Sequence, residues 1–153
     1  MLHIGFYLSN TTLILLGAGS STRFGTNVKK QWLYTGETPL WLHVAEHFEK
    51  SASFDDIIIV SSEIEIAYMK NFASYTYVQG GDSRQASLSN ALIHVSSKHV
   101  LVSDIARCCV PTAMIQRILN AKEQASCVVP VLPVTDTLYL DNIPIDRDKV
   151  KII

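Results

Sequence analysis

The chain has 153 residues, of which 48% are hydrophobic and 18% are charged, and its formal net charge at pH 7 is −1. This length and apolar content suit one domain with a core of its own. The near-neutral charge balance excludes a general electrostatic preference for nucleic acid or for an anionic membrane surface. No apolar run approaches the roughly 18 residues of a membrane span. We therefore expect a globular protein whose partners are neither nucleic acid nor a membrane.

The cysteines indicate a reducing compartment. Cys108, Cys109 and Cys127 form neither a C-x-x-C pair nor an even set for disulfides. The apolar run at 13–16 imitates part of a secretory signal, but no Lys or Arg precedes Arg23, as such a signal would require. The sequence therefore predicts a cytoplasmic protein.

Apolar runs alternate with segments of helical periodicity along the whole chain, after an ill-defined lead-in over residues 1–10 that resembles an extra strand. Strands are predicted over 13–16, 56–60, 75–78 and 100–102, with all but the third fully buried. Helices are predicted over 40–50, from 63 to near 72, over 84–96 and over 111–124. A fifth strand is predicted over 126–134, and 137–140 with 150–153 are predicted to form a two-stranded excursion. This alternation predicts an α/β fold with a Rossmann-like, doubly wound, mostly parallel sheet and a β-arm near the C-terminus.

Residues 13–31 contain the clearest functional signal. The apolar run breaks into Gly17-Ala18-Gly19, and Arg23, Lys29 and Lys30 follow. Glycines let the backbone approach a bound anion, and unpaired peptide N–H groups form an anion-binding concavity. Such a loop at the carboxyl end of a buried strand suits a polyphosphate. The alternative is a plain strand-to-helix connection with solvated charges.

Two other phosphate-binding patterns match this loop less well. A P-loop requires lysine after its second glycine, where Thr26 stands. The dinucleotide pattern G-x-G-x-x-G has Thr22 at its third glycine. The clustered cations fit a triphosphate better than either pattern.

The loop resembles the nucleotide-binding signature of the 2-C-methyl-D-erythritol 4-phosphate cytidylyltransferase family, roughly L-x-A-A-G-x-G-x-R-x followed by K-Q. Here it reads Leu15-Leu16-Gly17-Ala18-Gly19-Ser20-Ser21-Thr22-Arg23-Phe24, with Lys30-Gln31 downstream. Gly17 stands where the family usually has alanine, and Ser21 stands where it has a second glycine.

Further clusters resemble the same family in the correct order. Residues 80–87, GGDSRQAS, resemble its G-G-x-x-R-x-x-S motif, and residues 104–107, DIAR, resemble its D-x-A-R-P motif with Cys108 in place of proline. Residues 133–137 and the pair Asp146-Arg147 resemble the two ends of its extended arm.

The resemblance implies a cytidylyltransferase that joins CTP to 2-C-methyl-D-erythritol 4-phosphate with release of pyrophosphate. It implies a homodimer formed through the arm, about 133–153, and a nucleotidyltransferase domain over 1–153 that lacks its C-terminal part. In some relatives this domain is fused to a cyclodiphosphate synthase. The implied catalytic residues are Arg23 and Lys30; the implied CTP-binding residues are Gly17, Ala18, Gly19, Gly81, Asp82 and Ser87; Asp104 would hold Mg²⁺; and Arg107, Thr137 and Arg147 would bind the methylerythritol phosphate.

Three other functions remain open. The chain would also suit another nucleotidyltransferase that uses a different sugar phosphate, or a non-catalytic nucleotide-binding module. His43, Glu46 and His47 match H-x-x-E-H, an inverted zinc-protease motif in which both histidines lie on one helical face. The alternative for these three residues is the solvated face of an amphipathic helix.

Overall fold

The computed structural model describes residues 10–19, 28–133, 137–141, 143–146 and 151–152. The chain divides into two compact units, one reaching to Ile115 and the other starting at Gln116. In chain order the elements are β1 (Thr11–Leu16), a short 3-10 helix (Lys30–Trp32), β2 (Tyr34–Thr35), β3 (Thr38–Pro39), α1 (Leu40–Ser51), β4 (Asp56–Ser61), α2 (Glu63–Met69), β5 (Thr76–Gln79), α3 (Arg84–Leu92), β6 (His99–Asp104), α4 (Thr112–Ala121), β7 (Leu132–Pro133), β8 (Leu138–Leu140), β9 (Ile143–Ile145) and β10 (Lys151–Ile152). No helix within these ranges combines the length and the apolar character that crossing a membrane requires.

The first unit is built on a four-stranded sheet in the order β5-β4-β1-β6. Each neighbouring pair is parallel. β1 lies inside the sheet, and all six of its residues are buried. Its unbroken aliphatic run therefore reflects a strand covered on both faces, as parallel sheets require.

Both faces of this sheet carry buried apolar side chains. On one face Ile14, Ile58 and Val78 pack in a cluster with Ala91 of α3. The residues that alternate with these along β1 and β4 point to the other face, and each is at most 7% exposed: Leu13, Leu15, Ile57 and Ile59. The predicted doubly wound α/β arrangement is confirmed.

α1 matches its predicted span closely. Trp41, Val44, Ala45 and Phe48 are buried, and their spacing places them on one face of the helix. Pro39 precedes the helix as its N-cap residue. Proline is tolerated at the start of a helix because an N–H group there would have no acceptor within the helix.

Two elements of the first unit differ from their predicted form. β6 is a strand, but Val100 is 41% exposed, because β6 pairs only with β1 among the described strands. α3 ends at Leu92 and not near residue 96. Beyond it the N–H groups of His94 and Val95 bond to carbonyls three residues earlier, a tighter turn than an α-helix.

Two predictions for the second unit are wrong. Within the described part of 126–134 only Leu132–Pro133 forms a strand, because the prolines at 130 and 133 have no N–H for a longer ladder. Leu138–Leu140 pairs with Ile143–Ile145 and not with residues 150–153. Lys151–Ile152 instead pairs with Leu132–Pro133.

Candidate active site

The crevice of the sheet lies where the strand order reverses, between β1 and β6. The chain passes from β1 to β4 and β5 on one side and then to β6 on the other side. Open α/β sheets bind ligands at this point, outside the carboxyl ends of the strands. Leu16 and Asp104 are register partners here. The loop after β1 and the predicted metal-binding carboxylate are therefore neighbours.

The loop after β1 is tightly packed at Gly17 and open at Gly19. The Gly17 N–H donates to the Val60 carbonyl oxygen at 2.7 Å, and a Cβ atom on Gly17 would lie 2.7 Å from the Ile105 Cγ2 atom. Glycine at this position, where the signature that the loop resembles has alanine, thus makes room for Ile105. A Cβ atom on Gly19 would meet no described atom within 4 Å.

The turn after β5 closes against this first loop. A Cβ atom on Gly80 would lie 2.2 Å from the Ala18 Cβ atom, so the two loops approach this closely only because residue 80 is glycine. The Gly81 N–H donates to the Ser87 Oγ atom at 3.1 Å, and Ser87 is 4% exposed. Residues from two separate predicted CTP-binding motifs therefore meet in one place.

α3 begins at the same turn. The Ser83 Oγ atom accepts a hydrogen bond from the Ala86 N–H at 3.0 Å, which caps the helix. Asp82 stands beside this cap and is exposed. The cap fixes the direction in which Arg84, the first residue of the helix, leaves the turn.

Asp104 is contacted by two arginines at the mouth of the crevice. The Arg84 Nη1 atom lies 2.5 Å from its Oδ1 atom, and the Arg107 Nη2 atom lies 3.5 Å from its Oδ2 atom. The side chains of Arg84, Arg107 and Asp104 are 64%, 62% and 40% exposed. Two guanidinium groups and one accessible carboxylate suit an anionic ligand that carries a divalent ion. The sequence placed Arg84 at the arginine of the G-G-x-x-R-x-x-S motif but predicted no partner for it, because no local pattern signals a contact twenty residues away.

A buried carboxylate anchors the segment that contains Lys30. Glu65, in α2, is 9% exposed. Its Oε2 atom accepts a hydrogen bond from Lys29 Nζ, and its Oε1 atom accepts one from Trp32 Nε1, each at 2.7 Å. Lys30 lies between these two anchored residues and is exposed.

Gln31 joins this segment to the loop after β1. Its Nε2 atom donates both to Glu65 Oε1 and to the Gly17 carbonyl oxygen, each at 3.0 Å. Gln31 is 3% exposed. The predicted catalytic Lys30 is thereby tied through its neighbour to the predicted phosphate-binding loop.

The surroundings of Glu65 keep it ionised. Burial by itself would raise its pKa, but hydrogen bonds from Lys29, Ser62 and Trp32 outweigh burial and hold the pKa below its ordinary value. Sequence reasoning missed this residue. Its local pattern, a serine followed three residues later by glutamate, is typical of a helix capping box, and its partners from 29–32 are more than thirty residues away.

Two side chains of the histidine motif in α1, His47 and Glu46, form contacts with other residues. The His47 Nε2 atom donates to the Val110 carbonyl oxygen at 2.7 Å, so this nitrogen carries a proton and has no lone pair for zinc. Glu46 forms an ion pair with Lys50 on the same helix. Among the described residues no group of three or more His, Cys, Asp or Glu side chains could hold a metal ion.

Two predicted site residues, Arg23 and Arg147, lie outside the described residues, as does Ser21. Thr137 is described and exposed, and it belongs to the second unit.

Comparison with known proteins gives consistent results. The family described as "IspD: 2-C-methyl-D-erythritol 4-phosphate cytidylyltransferase" matches residues 11–145. The chain is 68% identical over 146 residues to "Bifunctional enzyme IspD/IspF" of Sulfurovum sp. (strain NBC37-1), a match covering 95% of this chain and 39% of that relative. It spans about two-fifths of the length of this relative and of two others that carry the same description, from Sulfurimonas denitrificans and Aliarcobacter butzleri.

Solved structures show the same relationship. The bifunctional IspDF from Campylobacter jejuni has a TM-score of 0.85 and 41% identity, and the match covers 93% of this chain and 38% of that one. The 4-diphosphocytidyl-2C-methyl-D-erythritolsynthase from Anaerococcus prevotii DSM 20548 has a TM-score of 0.76 and 19% identity, over 95% of this chain and 68% of that one. The second likeness shows a shared fold.

Proposed function

We propose, because this chain belongs to the 2-C-methyl-D-erythritol 4-phosphate cytidylyltransferase family, that its crevice joins CTP to 2-C-methyl-D-erythritol 4-phosphate. The products are 4-diphosphocytidyl-2-C-methyl-D-erythritol and pyrophosphate, in the non-mevalonate route to isoprenoid precursors. The observation that carries the proposal is the close approach of Gly80 to Ala18 and Ser87. Ala18 lies on the loop after β1, and Leu16, the last residue of β1, is the register partner of Asp104.

The proposed CTP-binding site is formed by the two turns that contain glycine. Gly17, Ala18 and Gly19 present the backbone next to the triphosphate. Gly81, Asp82 and Ser87 receive the base and ribose. Ser87 is buried and bonded to Gly81, so the second turn is rigid before the nucleotide arrives, and less entropy is lost on binding.

Charge neutralisation is the proposed source of catalysis. A phosphate oxygen of the acceptor forms a bond to the α-phosphorus of CTP while the bond to the departing pyrophosphate breaks. The acceptor phosphate is already an anionic nucleophile, so the protein must bring two anions together and stabilise the charge that develops. We assign this role to Lys30 and Arg23.

The residues of the crevice fit a magnesium ion. Mg²⁺ is commonly held by one or two carboxylates together with phosphate oxygens, and Asp104 offers one accessible carboxylate at the carboxyl end of β6. When bound, the ion would neutralise charge on the phosphates. The fit does not require a cage of protein ligands, which accords with the lack of a larger metal-binding cluster among the described residues.

We assign the acceptor phosphate to Arg107, Thr137 and Arg147, with the arm contributed by a second copy of the chain. Large apolar side chains of the arm support a homodimer, because such exposed groups mark interaction surfaces. Tyr139, Leu140 and Ile143 are each at least 64% exposed. Replacing Ile143 with arginine should shift the protein toward the monomer in sedimentation velocity.

The cysteine usage supports a cytoplasmic location.

Pyrophosphate release tests the reaction directly. The protein carrying this chain is assayed with methylerythritol phosphate, Mg²⁺ and either CTP, UTP, GTP or ATP. We expect release with CTP and its loss in Lys30→Met, while Lys70→Met, which changes an exposed lysine of another segment, retains it. Release with a different nucleotide or acceptor would favour another nucleotidyltransferase. Nucleotide binding without release would favour a non-catalytic module.

A further inference from the structure

We propose that Glu65 is a positioning residue that holds Lys30 at the phosphate-binding loop. The inference rests on the proposed function, since it assigns to Glu65 a part in the same reaction. Glu65 itself is buried in α2 and acts through the residues on either side of Lys30.

The hydrogen bonds of Glu65 converge from two directions. In the part of the chain that the structure describes, five side chains donate to its carboxylate: Lys29, Gln31, Trp32, Ser61 and Ser62. The serines belong to the end of β4 and to the N-cap of α2. Glu65 therefore attaches the segment 29–32 to the central sheet, and it is the shared acceptor of both groups of donors.

An ionised carboxylate is required for this arrangement. All five partners are donors, and a charged carboxylate is an acceptor at both oxygens. The ammonium group of Lys29 supplies the compensating positive charge at 2.7 Å. A neutral amide at residue 65 would turn an N–H₂ group toward at least one set of donors, so Gln cannot replace Glu without breaking contacts.

The anchoring reaches the candidate site through Gln31. Its side-chain amide bonds to Glu65 and to the Gly17 carbonyl oxygen at the same time. Each end of Lys30 is thus fixed, by Lys29 on one side and by Gln31 on the other. A misplacement of about 1 Å in a catalytic group can cost roughly 100-fold in rate, so loosening this segment would lower the turnover rate.

Aromatic packing holds the same segment but does not replace the carboxylate. Trp32 packs against Trp41, Tyr68 and Phe72 with ring centroids 6.3 Å apart. These contacts fix the position of the Trp32 ring and not that of Gln31. Trp32→Phe keeps an aromatic ring in the cluster while deleting one hydrogen bond to Glu65.

The test compares Glu65→Gln with Glu63→Gln, a change of an exposed glutamate on the same helix. We expect kcat for pyrophosphate release to fall about 100-fold in Glu65→Gln, with a much smaller change in the KM for CTP and no change in Glu63→Gln. Because Glu65 acts through Lys30, Glu65→Gln should add little to the loss already caused by Lys30→Met. An equal fold-loss in both backgrounds would overturn the inference.

Hydrogen exchange separates this inference from the proposed reaction. The N–H groups of Trp32 and Leu33 bond to the carbonyls of Lys29 and Lys30, and they should exchange faster in Glu65→Gln, whether or not CTP proves to be the substrate. Unchanged exchange at both amides would overturn the anchoring role. If Glu65→Gln does not fold, Trp32→Phe should show the same changes to a smaller degree, and a normal kcat and normal exchange in that variant would count against the proposal.

Discussion

Arg84 and Asp104 form an ion pair across the mouth of the crevice, with the Nη1 and Oδ1 atoms 2.5 Å apart. Their side chains are 64% and 40% exposed, so the pair contributes little to folding stability, about 0–1 kcal/mol. A divalent ion bound at Asp104, as proposed, would compete with this guanidinium group for the carboxylate. We therefore expect the pair to affect ligand binding more than folding.

Removing the competing guanidinium group should strengthen metal binding. In Arg84→Gln we expect the affinity for Mn²⁺, measured by calorimetry without nucleotide, to rise about two- to fivefold, the equivalent of an exposed ion pair. Arg117→Gln, which changes an exposed arginine of α4, is the control. Asp104→Asn should abolish the binding. Equal affinity in Arg84→Gln and the parent protein would show that the two cations do not compete.

Replacing the adjacent residues Lys29 and Lys30 should have different effects on stability. Lys30→Met should lower turnover roughly 100-fold and leave the thermal midpoint nearly unchanged, because Lys30 is exposed. Lys29→Met should instead lower stability by about 1–3 kcal/mol, because it removes a charged donor from the buried Glu65 carboxylate. Thermal unfolding and pyrophosphate release, measured on both variants, check this. A stable Lys29→Met protein would contradict the anchoring.

The approach of the two loops should make Gly80 intolerant of alanine. The added Cβ atom would lie 2.2 Å from the Ala18 Cβ atom, and overpacking of this kind typically costs about 1–3 kcal/mol. Gly19→Ala is the matched comparison, since its Cβ would meet no described atom within 4 Å. We expect the thermal midpoint to fall in Gly80→Ala and to hold in Gly19→Ala. Equal midpoints would mean that the loops can separate freely.

The stability that Glu65 provides should disappear in acid. Its pKa in the folded protein lies below the ordinary value of 4.5, so the folded state favours the charged form. The contribution is therefore complete above about pH 4.5 and is lost as pH falls through the folded-state pKa. The gap in thermal midpoint between the parent and Glu65→Gln should shrink below pH 4.5. A gap that grows in acid would contradict this role of Glu65.

Local patterns predicted much of the molecule. The alternation of apolar runs with helical periodicity predicted the α/β class, because burial on both faces of a parallel sheet imposes continuous aliphatic strands such as 13–16. The same reasoning placed Asp104 and the residues 17–19 at strand ends. It failed in the arm, where several short strands of similar composition compete for partners and sequence spacing does not select among the pairings.

The sequence by itself determined which residues stand at the ends of β1, β5 and β6, since those positions follow from local hydrophobic pattern and from glycine. Only the tertiary structure decided that these ends meet, that Arg84 reaches Asp104, and that Glu65 gathers donors from residues 29–32 and from 61–62. The physical reason is the sequence distance over which each kind of interaction acts. Backbone preference and periodicity act over a few residues, whereas ion pairs and buried hydrogen bonds form between groups that packing brings together from distant parts of the chain.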